Sequence, residues 1–331
     1  MSIPRKADSE KIREHIKKLK GEPWLGTARE WWPDFLFRFD NIDSAAKILN
    51  TGKLLCRRAA QATGVMGIDC ASPGVIAYTA DKWKQYVRLY FRPRTPTQYD
   101  SEGFRMRDRY ELGAHCPVPV VMLFDASEIL TRANTEFSNG NLAAANAATA
   151  NHAAFLERIP FQMVYHEGSF QPSDKATIIF HRNAEVIVPD ELDLSPLRFV
   201  GCRTQAEYET LLDLLGAEAR KRWSAKIGLG VKASLHYRFW TFVEQVELTR
   251  ERIRFQFNPS SKTPGPFRAY VNIREHETGD AYGWSQESFL ANSTLELDVR
   301  VLRHPEAYTV RLELDGQLAY SNRFEEQYIP F

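Results

Sequence analysis

Apolar and polar positions alternate differently along this chain, and that patterning predicts its elements. Residues 6–20 carry Lys6, Asp8, Glu10, Lys11, Arg13, Glu14, Lys17 and Lys18 with thin apolar content. They read as a short, mobile helix that Gly21-Glu22-Pro23 breaks. Trp24 and the pair Trp31-Trp32 before Pro33 are expected to anchor this entry segment to the body. Phe35 to Phe39 reads as a strand, followed by a helix over 44–50 with Asp43 as its N-cap and Gly52 closing it. Residues 75–78 read as a short strand and 81–89 as a helical turn or loop. The run Pro117-Val118-Pro119-Val120-Val121-Met122-Leu123-Phe124 is the clearest central strand, with its prolines confined to the start. A helical turn begins at Ser127, the alanine-rich stretch 141–157 reads as helix by propensity, and 159–166 as a loop lining a cleft.

Residues 175–189 read as a β-type run in which Glu185 precedes Val186, Ile187 and Val188, with Pro189 as the stop. A strand this apolar is covered on at least one face, and a carboxylate there resists ionisation unless something pairs with it. A cleft holding a polar ligand would supply the reason. Alternation also permits the bland reading, a strand-edge glutamate pointing to water. Residues 204–215 form an amphipathic pattern with Tyr208, Leu211, Leu212 and Leu215 on one face.

After Gly216 the character changes. Arg220-Lys221-Arg222 and Gly228-Leu229-Gly230 read as a linker over 217–238. From residue 239 period-two segments recur at 253–257, 267–273, 294–301 and 308–314, and Asp315-Gly316 is a hairpin turn. This spacing predicts a small antiparallel sandwich over 239–331. Tyr282 and Trp284 lie between turn residues and are expected to be packed.

Composition narrows the class. The chain has 331 residues, 44% of them hydrophobic and 12% aromatic, as in a packed globular protein of one large or two ordinary domains. No apolar run approaches the roughly 20 residues that cross a bilayer. No signal-peptide pattern opens the chain, and Cys56, Cys70, Cys116 and Cys202 are scattered without a CxxC pair. A cytoplasmic protein with free thiols and no metal site is the simplest reading. The 43 basic and 42 acidic residues argue against a strand-binder held by net charge alone. A local exception lies between Arg88 and Arg109, where arginines Arg88, Arg92, Arg94, Arg105, Arg107 and Arg109 interleave with Tyr86, Tyr90, Phe91, Tyr99, Phe104 and Tyr110. Arginine among aromatics suits a single-strand channel, in which guanidinium grips phosphate and rings stack on bases. The alternative is a solvated loop with a few buried rings.

Four segments in order carry a resemblance: Phe37-Arg38-Phe39 leading through a helix to Gly52-Lys53-Leu54-Leu55; Tyr90-Phe91-Arg92-Pro93-Arg94-Thr95-Pro96; Phe137-Ser138-Asn139-Gly140-Asn141; and Arg182-Asn183-Ala184-Glu185-Val186-Ile187-Val188. Over residues 35 to about 200 the chain resembles the DarT family, bacterial toxins that transfer ADP-ribose from NAD onto bases of DNA. The resemblance implies an α+β fold, an ADP-ribosyltransferase-like split antiparallel sheet around an NAD cleft, with the C-terminal all-β sandwich as an addition. It implies an N-terminal helical extension over 1–34 and a transferase domain over 35–216.

The resemblance also implies roles. Glu185 is the catalytic acid that hydrogen-bonds a ribose 2′-OH and stabilises developing positive charge at the sugar, as in glycoside cleavage; Glu167 and Glu191 are the nearest competing acids. Arg94, between Pro93 and Pro96, assists transfer by stabilising or orienting a base that has lost its N–H proton, since arginine is a poor general base. Arg38, Asn41, Tyr90 and Phe91 are the expected NAD contacts, and Arg92, Asn139 and Asn141 the expected substrate contacts. Family members often read Thr-His where Asp40-Asn41 stand here. No GxGxxG is present. Gly140 is expected at positive φ in a tight turn. His152, His166 and His181 are assigned no role.

The implied activity is a toxin that modifies a base of single-stranded DNA, held silent by an antitoxin of macrodomain or binding type, within a toxin–antitoxin or phage-defence system. The departure at Asn41 and the extra domain lean towards guanine as the base. An RNA base, or a non-enzymatic strand binder, is the alternative.

Overall fold

The computed structural model describes residues 3–64, 70, 73–110 and 113–326. In the first two thirds the strands are β1 (Phe35–Asn41), β2 (Lys53–Leu55), β3 (Tyr86–Tyr90), β4 (Pro119–Asp125), β5 (Glu136–Ser138), β6 (Thr149–Ala150), β7 (Glu185–Pro189), β8 (Glu191–Asp193), β9 (Leu197–Cys202) and β10 (Ile227–Leu229). The helices are α1 (Ser9–Lys20), α2 (Ile42–Thr51), α3 (Arg57–Ala62), α4 (Pro73–Tyr78), α5 (Pro96–Ser101), α6 (Ala126–Leu130), α7 (Ala153–Leu156), α8 (Phe161–Val164), α9 (Lys175–Arg182), α10 (Gln205–Leu214) and α11 (Ala217–Trp223).

Among the described residues, an eight-stranded sheet runs in the order β10-β9-β4-β1-β3-β7-β5-β6. All its pairings are antiparallel except β10 with β9. β1 pairs with β4 along its whole length, from Phe35↔Asp125 to Asn41↔Pro119. β3 pairs with β7 from Tyr86↔Pro189 to Tyr90↔Glu185. Between these two ladders β1 and β3 meet at one pair, Phe37↔Tyr90. Beyond it they part, so the sheet is split as expected, and the split is where a ligand can enter.

The last third folds as β11 (Val243–Leu248), β12 (Arg252–Phe257), β13 (Phe267–Glu275), β14 (Ala281–Phe289), β15 (Thr294–Asp298), β16 (Ala307–Leu314) and β17 (Gln317–Glu325). They form sheets in the orders β11-β12-β15 and β14-β13-β16-β17. Their inner faces meet through pairs such as Phe255–Tyr320 and Phe257–Phe289, with ring centroids 5.8 and 5.4 Å apart, giving the expected sandwich. Tyr282 and Trp284 sit within β14, partly buried against the core.

Several expectations are corrected. Residues 217–238 are not a linker: α11 and β10 lie there, and β10 extends the large sheet, with Ile227 opposite Val200. The same hydrophobic core runs from Ile12 of α1 to Tyr320 of β17. α10 joins the two parts: Thr204 Oγ1 donates to the Val243 carbonyl (2.8 Å), and Tyr320 Oη to Glu209 (3.0 Å). Its buried residues are Ala206, Glu207, Thr210 and Leu211; of the expected stripe Leu211 and Leu215 are buried, and Tyr208 and Leu212 pack partly buried against the core. α1 is anchored by Ile12, Ile16 and Leu19, which recur at helical spacing and are all buried. Residues 75–78 are helical, because Pro73 opens a turn with preset φ. The helix after β1 begins one residue before Asp43, with Asn41 at its N-cap. Of residues 81–89, read as a helical turn or loop, 81–85 form a helical turn and 86–89 belong to strand β3.

The alanine-rich stretch is mostly loop. It lacks an apolar stripe to bury, and Asn139 closes it by bonding Ala148 through backbone (3.2 Å) and side chain (3.0 Å). Residues 175–182 form helix α9, so the strand begins at Glu185 itself. Residues 161–164 of the expected loop form the short α8.

Candidate active site

The split sheet opens a cleft with about 1050 Å³ of empty space, its open mouth included. Its walls come from β1 (Arg38, Asp40), α2 (Ser44, Lys47, Ile48, Thr51), the strand and helix after it (Lys53, Leu54, Leu55, Arg57) and β3 (Tyr86, Val87, Arg88). Val75, Ile76 and Trp83 form its apolar side. Among the described residues six cationic side chains line it, Arg38, Lys47, Lys53, Arg57, Lys84 and Arg88, against the single carboxylate of Asp40. That excess suits an anionic ligand such as a pyrophosphate.

Glu185 lies behind one wall, the one that Arg88 lines. It is 1% exposed. Its Oε1 accepts from Arg88 Nη2 (2.6 Å) and from the Leu142 amide (3.3 Å), and its Oε2 accepts from Arg88 Nε. The backbone is pinned as well: the Glu185 amide donates to Ser138 Oγ (2.9 Å). A buried carboxylate without such partners costs several kcal/mol. Here a planar two-donor fork supplies them. Burial acts to lower the pKa of Arg88, and the facing carboxylate outweighs it and raises the pKa. Arg88 reaches Glu185 because β3 and β7 are paired and both side chains leave the same face of the sheet. Arg88 is 28% exposed and reaches the cleft, so Glu185 lies behind it rather than on the cleft surface.

Arg38 also lines the cleft. It forks onto Asp40 (2.6 and 2.7 Å) and donates to the Arg88 carbonyl (3.1 Å), bridging the split. Burial, the largest influence, pulls its pKa down, but Asp40 raises it overall. Tyr90 stacks beside Phe39, ring centroids 6.4 Å apart, next to Glu185 in register. Burial, and after it the nearby Glu185, raises its phenol pKa.

Arg94 occupies the turn after β3 at φ 52°. A non-glycine residue there stores about 1 kcal/mol or more of strain. Thr95 caps α5 by accepting from the Gln98 amide (3.2 Å), and Pro96 follows in its first turn. The guanidinium pairs with Glu167 (2.6 Å), not with Glu185, and its Nε is buried without a partner among the described residues. A Thr97–Asn183 bond (3.3 Å) holds this turn against the approach to Glu185. The two expected catalytic residues therefore share one end of the sheet without forming a pair.

Three other expected site residues face elsewhere. Phe91 follows Tyr90 and so leaves the opposite face, packing on Phe161 (5.2 Å) in the core. Arg92 is 2% exposed: its donors are taken by the carbonyls of Pro93, Val164 and His166 and by Glu167. Asn41 is fully buried, holding the Val118 amide and Asp43, while its neighbour Asp40 takes the cleft position. The Asn139 and Asn141 side-chain carbonyls serve the amides of Ala148 and Ala143, inside the loop whose Leu142 amide reaches Glu185. Gly140 is not at positive φ; it is glycine because a Cβ would stand 2.3 Å from the Phe180 ring.

Arg88, Asp40 and Glu167 are the residues that the sequence reading left without a site role or ranked second. Alternation could have found Arg88, two positions before Tyr90 and therefore on its face. Glu191, the other competing acid, pairs with Lys53 in the open. The four cysteines are buried free thiols, and no helix among the described residues is long and apolar enough to cross a membrane.

No curated protein matches the chain. Among solved structures it is similar to Thermus sp. 2.9 DarT in complex with ADP-ribosylated ssDNA, at 14% identity over 62% of this chain and 97% of that one, TM-score 0.48. The same Thermus protein in complex with NAD+ matches at 15% identity over 62% and 98%, TM-score 0.45. Thermosipho africanus DarTG in complex with ADP-ribose matches at 13% identity over 66% and 54%, TM-score 0.46. The family model described as ssDNA thymidine ADP-ribosyltransferase, DarT, matches residues 37–228, more than half of the chain. The chain belongs to the DarT family.

Proposed function

We propose that Glu185 and Arg94 carry the transfer of ADP-ribose from NAD to a base of single-stranded DNA, with Arg38 and Arg88 at the cofactor. As a DarT, the chain is an NAD-dependent ADP-ribosyltransferase acting on single-stranded DNA. The observation that supports the residue assignment is Glu185, a buried carboxylate gripped by the fork of Arg88, which itself lines the cation-rich cleft. NAD brings an ADP-ribosyl group whose C1′ gains positive charge as neutral nicotinamide departs with the bond's electron pair. Glu185 places negative charge beside that carbon and accepts from the ribose hydroxyl. Arg88 shares its fork between Glu185 and the ligand, and Arg38 and Lys47 offer donors to phosphate. Arg94, on a turn fixed by two prolines, turns its part-exposed guanidinium from Glu167 to the base as the base's ring N–H proton is lost to solvent.

The family's description names thymidine, and we take it as the expected base. The lean towards guanine rests on the departure at Asn41 and on the extra domain, and Asn41 is buried away from the cleft. We further propose that an antitoxin partner silences the enzyme in the cell. The test is incubation with NAD and single-stranded oligonucleotides that each contain one kind of reactive base. Mass spectrometry should find one added ADP-ribose on the thymidine strand with wild type, and none with Glu185→Ala. Transfer by Glu185→Ala at the wild-type rate would remove this residue from the reaction; a mark on guanine alone would correct the base.

A further inference from the structure

Four rings from two regions of the chain meet beside the Arg94 turn. Tyr99 comes from α5; Tyr237, Phe239 and Trp240 come after residue 228, where the family match ends. Tyr99 lies 5.1 Å from Tyr237, 6.2 Å from Phe239 and 5.1 Å from Trp240, ring centroid to centroid. Trp240 is 6% exposed and is the foundation, with the Arg105 guanidinium 3.6 Å from its ring centroid. Tyr99 and Phe239 are 41% and 38% exposed and stand together in water. The Lys262 amide donates to the Phe239 carbonyl (2.8 Å), and its ammonium sits 4.2 Å from the Phe239 ring centroid, with no carboxylate partner among the described residues. At the other end the Tyr237 hydroxyl donates to the Arg94 carbonyl (2.5 Å). Rings and cation thus lead directly away from the turn.

We propose that Tyr99 and Phe239 are a stacking shelf for nucleotides that flank the modified base in a single DNA strand, with Lys262 meeting the phosphate beside them. The shelf rests on the reaction assigned above and adds a binding subsite that the β-sandwich end of the chain helps to build. Adjacent exposed rings are poorly solvated, and an unpaired base covers them whatever its identity. A cation among the rings matches the charge of the strand and not that of a hydrophobic protein partner. A duplex keeps its bases stacked within itself and offers nothing to these rings.

The experiment compares two thymidine-containing single strands, one of about 16 nucleotides and one of about 4, on the full chain with NAD. Tyr99→Ala/Phe239→Ala should raise KM for the long strand about tenfold or more, while KM for the short strand and for NAD stays unchanged. Phe239→Tyr should retain wild-type behaviour. Lys262→Glu, a substitution at an exposed side chain that takes the ammonium off the Phe239 ring and removes no buried contact, should raise KM for the long strand several-fold and flatten its dependence on salt. If wild type, Tyr99→Ala/Phe239→Ala and Lys262→Glu share one KM on the long strand, the shelf is wrong and the assigned reaction stands. A wild type that modifies no oligonucleotide overturns both.

Discussion

Arg88 and Glu185 make one unit, a guanidinium forked onto a buried carboxylate. Removing one partner of a buried pair leaves an uncompensated charge, which costs about 3–5 kcal/mol when fully buried and less here, about 2 kcal/mol, because Arg88 is part-exposed. Arg88→Ala should therefore lower stability by about that amount and transfer by at least ~100-fold. Adding Glu185→Gln to it removes the stranded charge. The double variant should then regain stability over Arg88→Ala in urea unfolding while staying inactive. Strictly additive losses would show that the pair is not what the single substitution breaks. The sequence places Glu185 ahead of an apolar strand, which flags it. It shows Arg88 as one arginine among six, because nothing local says which of them shares a face with position 185.

At the scale of elements, the loop over 139–148 matters because its Leu142 amide is the third donor to Glu185. Gly140 permits this by lying flat against Phe180, with 2.3 Å available where a Cβ would need far more. Gly140→Ala should push loop and α9 apart, costing about 1–3 kcal/mol of overpacking and lowering transfer about tenfold. Phe180→Leu in the same chain should restore part of both, measured by Tm and by single-turnover transfer. An alanine at 140 with unchanged rate would mean that the loop does not set Glu185. Propensity misreads this region in both directions. Alanines suggest a helix that has no apolar stripe to bury, and β-branched Ile178-Ile179 suggest a strand where α9 packs against α8. In each case tertiary contact overrides a preference worth a fraction of a kcal/mol per residue.

For the whole molecule, the junction between the sheet and the sandwich is charged and dry. Glu102, Arg203 and Glu207 are all buried; Arg203 forks onto Glu207 and bonds the Pro117 carbonyl (2.9 Å). The Tyr237 and Arg238 amides donate to Glu102 (3.0 and 2.8 Å), which ties the segment after β10 to α5. Arg203, after the opposing effect of burial, holds the Glu102 pKa low. His236 is buried among these groups, bonded to the Pro119 carbonyl, and burial lowers its pKa to about 4.

Above pH ~6.5 this histidine is neutral folded or unfolded. Below it the unfolded chain takes up a proton that the folded one refuses, so stability falls from pH ~6.5 down to about 4. The difference of about 2.5 pH units corresponds to about 3 kcal/mol from this residue. His236→Gln keeps a donor for Pro119 and should flatten that slope, seen as a smaller difference in urea midpoint between pH 7 and pH 5. An identical slope would place the acid sensitivity elsewhere.

Short-range pattern was enough to determine the period-two strands of the sandwich, β1 with the Gly52 that closes the helix after it, and the four motifs of a DarT. Each of these depends on neighbours a few positions apart, and side-chain alternation or turn geometry expresses it directly. The tertiary fold alone decided which arginine faces Glu185, that Phe91, Arg92 and Asn41 turn into the core, where the sheet splits, and that 217–238 is built structure. Those outcomes depend on strand register and on which surfaces meet, and residues 100 positions apart settle them together.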